Sequence, residues 1–466
     1  MRSLTVLMLM SCGGGALPLD SGPTDEPIDP YAGIEAGDAI APLGVAPGAR
    51  VVHLMDLTTD GQTAWAAAFK GGLSFDVSDP AAPSLQGTSV GRQLYGVDHS
   101  GARVMFSGRE AGVLLTERGE DFELSRVARR RDDAEASERA ILVGDHVAIA
   151  ALTDGVIFAR QEDLREVSRV TEACPNAFAV ATEGDLVFVG DRERGLVILD
   201  AADPAEPVEV GVVALRSAAQ DLTVMDGIVW VAAGGILEGV DVSDPTAPQI
   251  VATLPSGGVA TRLDSSDGLL AVAVWQTTRL YDVSTPAEPV LIAIEDATSS
   301  ATSVALEGDL LLVGDWDDLR TYRVDREARS GEISADSQVV VHGEGQVSTR
   351  LLIQNQGNLP LDVTGVSCDD ARVVPNFEEL RLLPGEYGGV DLVVEAGQGS
   401  SFEATCDIAN SDVDESSYAF PVRVNPVGLS VGDLAPDFTV ADLDGGFHSL
   451  SSTRGQVVMI TIFSSL

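Results

Sequence analysis

The groups able to do chemistry in this chain are few and scattered. Four cysteines stand at Cys12, Cys174, Cys368 and Cys406, and none forms the C-x-x-C pair of a dithiol redox centre or a zinc site. Histidine occurs five times in 466 residues, and nothing clusters the five. Carboxylates dominate instead: Asp plus Glu number 72 against 29 Lys plus Arg, a net charge of −43. Such a surface repels phosphate backbones, so nucleic acid is not expected as a partner. It fits solubility, a high-salt habitat or affinity for divalent cations. Aspartates recur before prolines in Asp-Pro turns, at Asp79, Asp203 and Asp244. Calcium ligation is one use for them. Bonding backbone N–H groups in tight turns is the other, and it is the expectation. No catalytic residue, metal or cofactor emerges from these residues.

The elements that would position such groups are set by apolar patterning. Hydrophobic residues make up 45% and charged residues 22%, enough to bury a sizeable core. No apolar run reaches the roughly 18 residues of a membrane-spanning helix. The length allows about three domains of ~150 residues unless a repeat fills part of it. A repeat does. "FDVSDPAAP" starts at Phe75, "LDAADPAEP" at Leu199, "VDVSDPTAP" at Val240 and "YDVSTPAEP" at Tyr281. Degenerate copies end at Glu117, Arg160 and Asp325, so successive unit ends lie 40–43 residues apart.

Each unit reads as four short strands separated by turn residues, as in "AFAVATEG", "DLVFVGDRER", "GLVILDAADP" and "AEPVEVGVV". Four strands in about 41 residues is the pattern of a propeller blade, and seven units predict seven blades over residues 37–327. The last unit lacks a fourth strand, and "IAPLGVAPG" from Ile40 supplies one from the N-terminus, removing the open edge. Trp65, Trp230, Trp275 and Trp316 fall in or near second strands, where packing between blades is expected rather than ligand stacking. The ligand face is expected where each outer strand connects to the next inner one. Arg92, Tyr95, Asp221 and Arg262 are its candidates, against the alternative of ordinary solvated loop residues.

The units "GLVILDAADPAEP" and "GGLSFDVSDPAAP" resemble LVIVD repeats, a bacterial family of propeller repeats in exported proteins. The resemblance implies a displayed binding or scaffold propeller, with an unknown protein or carbohydrate ligand, and implies no catalysis. Leu9-Met10-Ser11-Cys12 resembles a bacterial lipobox. Residues 1–12 then read as a lipoprotein signal with Cys12 lipidated, and residues 13–36 as an acidic Gly/Pro tether. An incidental apolar start is the alternative. The implied location is the bacterial cell envelope, anchored by lipid alone at the outer membrane or cell surface.

Residues 332–426 alternate as short strands and read as a β-sandwich. "IQNQGNLPLDVTGVS" and "LLPGEYGGVDLVVEA" resemble immunoglobulin-like modules of the ASPM/SPD-2/Hydin group, which implies a spacer or adhesion module. Cys368 and Cys406 lie within it. In an oxidising compartment they are expected to pair, and two buried free thiols are the alternative. Residues 428–466, with "APDF", "DLDG" and "HSLSSTRG", resemble the start of thioredoxin-like peroxiredoxins and redoxins. The chain stops at Leu466, before the position of that family's reactive cysteine, so a truncated start without redox activity is expected. A longer oxidoreductase parent is the alternative. The expected fold class is thus all-β: a seven-bladed propeller, an Ig-like sandwich and a truncated thioredoxin-like start.

Overall fold

The computed structural model describes residues 36–47, 53–89, 93–109, 111–130, 137–316, 318–336, 338–398, 401–426, 439–441 and 447–449. Every named element among them is a β-strand. Residues 53–324 form five four-stranded antiparallel sheets and, with the strand Ile40–Pro47, one six-stranded sheet. In the sheet formed by Ala177–Glu183, Leu186–Asp191, Gly195–Asp200 and Val208–Val213, strands follow one another in chain order.

Burial follows position in the sheet. Second strands such as Thr63–Ala68 and Ile228–Ala233 are buried at every residue, while the fourth strand Val208–Val213 is not buried at any. Middle strands are covered on both faces by neighbouring sheets, so they read as continuous apolar runs. One core cluster joins Phe188 and Ile198 of one sheet to Leu222, Val229 and Val231 of the next. Between some sheets an inner-strand aspartate also accepts a backbone N–H from the following unit. Asp56 accepts from Val97, 41 residues on, Asp98 from Leu142, 44 on, and Asp221 and Asp264 from Leu263 and Leu306, each 42 on. The repeat period of the sequence is thus the period of these bonds.

The six-stranded sheet joins the last two repeat units, which the repeat pattern alone leaves separate. The strand Val290–Glu307 pairs with Leu269–Asp282 through Val290–Asp296 and with Leu310–Asp315 through Ala301–Glu307, so one continuous strand serves both units. At the sheet's edge Ile40–Pro47 pairs antiparallel with Asp318–Val324, from Ile40↔Val324 to Pro47↔Asp318. Gly44 sits at its bulge, where an added Cβ would lie 2.5 Å from Pro83 Cδ and 2.8 Å from two carbonyl oxygens. Only glycine lets this strand pass so close to the first unit.

The aspartates of the Asp-Pro turns take the turn role. Oδ1 of Asp79, Asp203 and Asp244 accepts the N–H two residues on, from Ala81, Ala205 and Thr246, at 3.0–3.1 Å.

Beyond the propeller, two sheets share one apolar core. One contains Ile333–Ala335, Gly345–Asn355, Tyr387–Ala396 and Val373–Asn376. The other contains Val339–Val341, Ser417–Val424, Phe402–Asn410, Leu361–Cys368 and Leu380–Leu382. Cys368 and Cys406 face each other across adjacent strands and are disulfide-bonded. Buried Asn355 organises the turn at the propeller side. Its Nδ2 donates to the carbonyls of Leu359 and Leu382, and its Oδ1 accepts from the N–H of Glu332 and Gly357. Arg279 of the propeller donates to Gln356 Oε1 at 2.8 Å, joining the two parts. Within the expected thioredoxin-like start, the described residues show Thr439–Ala441 paired with Phe447–Ser449. The strand expected at residues 457–463 lies outside the described residues.

Candidate functional site

Inner strands present alternate residues to the central channel. Register identifies equivalent positions: Asp56 pairs with Ala67, Gly96 with Ser107, Arg139 with Ala150, Asp221 with Ala232 and Arg262 with Ala273. These residues form one layer across the channel, and its charges close on one another. Arg139 bonds Asp56 through Nη1 and Asp221 Oδ1 through Nη2 at 2.6 Å. It reaches partners 83 and 82 residues away, about two repeat units in each direction. Arg262 bonds Asp56 Oδ1 through Nε at 3.1 Å and donates to the carbonyls of Tyr95 and Thr261, each at 2.7 Å. Gly96 makes room for the crossing, because a Cβ there would stand 3.0 Å from Arg139 Cδ and 2.5 Å from Ser107 Oγ.

Side chains of this layer are 6–14% exposed. Burial opposes the charge of Arg139, but the Asp221 and Asp56 carboxylates more than offset it and hold its proton above the ordinary guanidinium range. Two arginines and two aspartates make the layer neutral, so it closes the channel floor without leaving an unpaired charge.

One layer deeper lie Thr58, Asp98, Thr223 and Asp264. Burial pushes the carboxyl of Asp98 up to about 6 and that of Asp264 up to about 7, with the Asp56 charge adding to both. Each folded value lies above that of a free aspartate, so the folded chain holds more protons than the unfolded one in between. The stability this contributes is complete below the unfolded value, and is lost as pH rises through about 6 for Asp98 and about 7 for Asp264. Both residues are partly exposed to the channel. Solvent screening therefore brings the expected loss to about 1–2 kcal/mol each, below the ~3–4 kcal/mol that unscreened shifts of this size would give. Asp98→Asn and Asp264→Asn are expected to flatten this fall. Urea unfolding of each variant beside the parent at pH 5 and pH 8 checks it, and identical pH slopes would refute it.

Above the ionic layer opens a funnel of about 390 Å³. Its wall carries five aromatic side chains, Phe69, Tyr95, Phe178, Trp275 and Trp316, with Met55 and Val259. Turns between second and third strands supply Phe69 and Trp316, the irregularity inside the long strand Leu269–Asp282 supplies Trp275, and connections between units supply Tyr95 and Val259. The rings of Trp275 and Trp316 stand 5.8 Å apart, and those of Phe69 and Tyr95 meet edge-on at 5.8 Å. Arg109 lies 5.5 Å from the Tyr95 ring and pairs with Glu138 at 2.6 Å. Trp275 and Trp316 have φ of 48° and 56°, the left-handed region that bulky residues avoid.

The structure thus brings Tyr95 and Arg262 to the funnel and sets Asp221 in the ionic layer beneath it. Arg92 and Cys12 lie outside the described residues. The expected packing role holds for Trp65 and Trp230, both fully buried. It fails for Trp275 and Trp316, which are partly exposed: Trp316 stands on the turn after Leu310–Asp315, and Trp275 at the irregularity of its strand, each with positive φ that turns the ring out of the sheet stack. Sequence reading also missed Asp56, Arg139, Phe69 and Phe178. Asp56 and Arg139 do stand at equivalent places before their second strands, which aligned inner strands would have shown. Cys174 is buried, and burial together with the Asp191 charge pushes its thiol up to about 12, the opposite of an activated nucleophile.

The sequence profile of the LVIVD repeat matches residues 176–214 and 217–254. No curated protein matches the chain in sequence. Among solved structures, the β-propeller domain of Cps50 (Swd1) from Myceliophteria thermophila superposes with a TM-score of 0.52 at 13% identity, covering 61% of this chain and 100% of that one. A chain of the Mitotic Checkpoint Complex gives 0.52 at 12% identity, covering 68% and 99%. The WD40 β-propeller domain of Doa1 gives 0.50 at 10% identity, covering 63% and 98%. At these identities the likeness concerns fold alone. Repeat match and structural likeness agree that this is an all-β protein built on a β-propeller, two segments of which match the LVIVD repeat.

Proposed function

We propose that the chain is an exported binding or scaffold protein that presents the aromatic funnel of a seven-bladed propeller to a protein partner. The observation that carries this is the pair Trp275 and Trp316, held at positive φ on the funnel rim. Backbone strain of this kind costs about 1–3 kcal/mol and concentrates at functional sites. The fifth unit uses Gly234 at the corresponding turn, with φ of 67° and no such cost. An apolar or aromatic anchor from a protein suits the wall better than a sugar does. The wall is ringed by aromatic groups, while Arg139 and Arg262 bind the floor and Arg109 binds Glu138.

The count of seven rests on the inner strands from Leu54–Thr59 to Arg262–Ser266, plus the inner half of Val290–Glu307, with Ile40–Pro47 completing the last blade. The sandwich serves as an Ig-like spacer, Cys12 as the lipid anchor at the cell envelope, and residues 428–466 as a redoxin-like segment.

The test immobilises the full chain and screens a random-peptide display library beside a panel of oligosaccharides. Recovered peptides are expected to share an apolar or aromatic anchor. Their affinity should fall at least tenfold with Trp316→Ala and stay unchanged with Tyr387→Ala, an exposed sandwich residue. Retention of sugars alone, or full binding by Trp316→Ala, would overturn the proposal.

A further inference from the structure

We infer that a calcium-class divalent cation binds where the propeller meets the sandwich, held by the carboxylates of Glu332, Asp412 and Asp414. One ligand oxygen from each of the three lies within 4.8 Å of the others. Calcium takes oxygens at about 2.3–2.6 Å, so opposed ligands stand about 4.6–5.2 Å apart and adjacent ones closer. Magnesium, at about 2.0–2.1 Å, demands a tighter and near-octahedral set.

The second observation is an orphaned oxygen. Asp412 is 2% exposed. Its Oδ2 accepts the Ile333 N–H at 2.8 Å, while its Oδ1 is buried without a hydrogen-bond partner. A buried carboxylate oxygen left bare is costly, and a bound cation is a standard way to satisfy one.

The surroundings hold the ligands in place. Asp412 and Asp414 stand on the loop between Phe402–Asn410 and Ser417–Val424, where the Asp412 N–H donates to Asn410 Oδ1 at 2.7 Å. Glu332 stands on the segment leaving the propeller, and its N–H donates to buried Asn355 Oδ1 at 3.1 Å. Asp414 is exposed and gives the ion a path from solvent. A cation here ties the sandwich loop to the interdomain segment. The competing resident is a proton shared between Asp412 and Asp414, because burial and the neighbouring Asp414 carboxyl raise the Asp412 carboxyl above the ordinary carboxylate range.

The test uses the full chain, stripped with chelator and titrated with CaCl2 at pH 7.5. Calorimetry and thermal melting are read in 150 mM NaCl with 1 mM MgCl2, which suppress diffuse binding to the acidic surface. One calcium per chain and a rise in melting temperature are expected. Asp414→Asn, on the exposed loop, should weaken binding at least tenfold while still giving one cooperative melt in chelator. Asp412→Asn should abolish the calcium response. If Asp412→Asn does not fold, Asp414→Asn decides alone. Calcium heats unchanged in Asp414→Asn would show diffuse surface binding, and no calcium effect on the parent would show the shared proton. Either result overturns the inference.

Discussion

Arg139→Met is expected to cost the propeller about 3–5 kcal/mol, the effect of removing one partner from a buried ionic network. Among the described residues, Arg139 bonds both Asp56 and Asp221, whose units lie on either side of its own. Without it Asp221 loses its guanidinium and Asp56 keeps only Arg262. The backbone bonds those carboxylates accept from Leu263 and Val97 remain, so the loss falls on charge rather than on strand register. Urea unfolding followed by tryptophan fluorescence measures it. The triple variant Arg139→Met, Asp56→Asn, Asp221→Asn removes the orphaned charges and is expected to recover most of the loss. A single variant within 1 kcal/mol of the parent would show that the layer is not a structural unit.

Replacing Cys368 and Cys406 together by alanine is expected to destabilise the sandwich by about 3–4 kcal/mol, the chain-entropy value for a loop of this size. The sequence separation is 38 residues, and the bond joins directly opposed positions of adjacent strands. Cys406 is fully buried in the shared core, beside Phe420 and Ile408, so the lost packing adds to the entropic term. Thermal melting with and without reductant is the measurement, after non-reducing peptide mapping has located the bond. Reductant should shift the parent and leave the double variant unmoved. Cys174→Ala, which changes a free buried thiol of the propeller, is expected to leave the reductant response intact. A parent indifferent to reductant would refute the prediction.

The propeller was legible because its period is written in the residues that make its bonds. "FDVSDP" and its relatives fall about 41 residues apart, and hydrogen bonds between neighbouring inner strands recur at 41 and 42. Continuous apolar middle strands and alternating outer ones follow from the local pattern of apolar and turn residues. The candidate site was legible only in part. Tyr95 could be placed near the funnel from its position between units, since a connection's end is fixed by the strands around it. Trp275 and Trp316 looked like core residues because the sequence cannot show at which residue a strand turns or shifts register. A shift of one residue moves a ring from the core to the rim.

By itself, then, the sequence determined the strands, their repeat, the all-β propeller class and the turn role of the Asp-Pro aspartates, because each depends on neighbours within one repeat unit. Tertiary structure alone decided which charges meet. Arg139 finds Asp56 and Asp221 more than 80 residues away in either direction, and Asp412 meets Glu332 from across the sandwich. Such encounters depend on closing a ring and on docking one sheet pair against it. Spacing along the chain holds no record of either, since a charge is recognised by distance in space and by the dielectric around it.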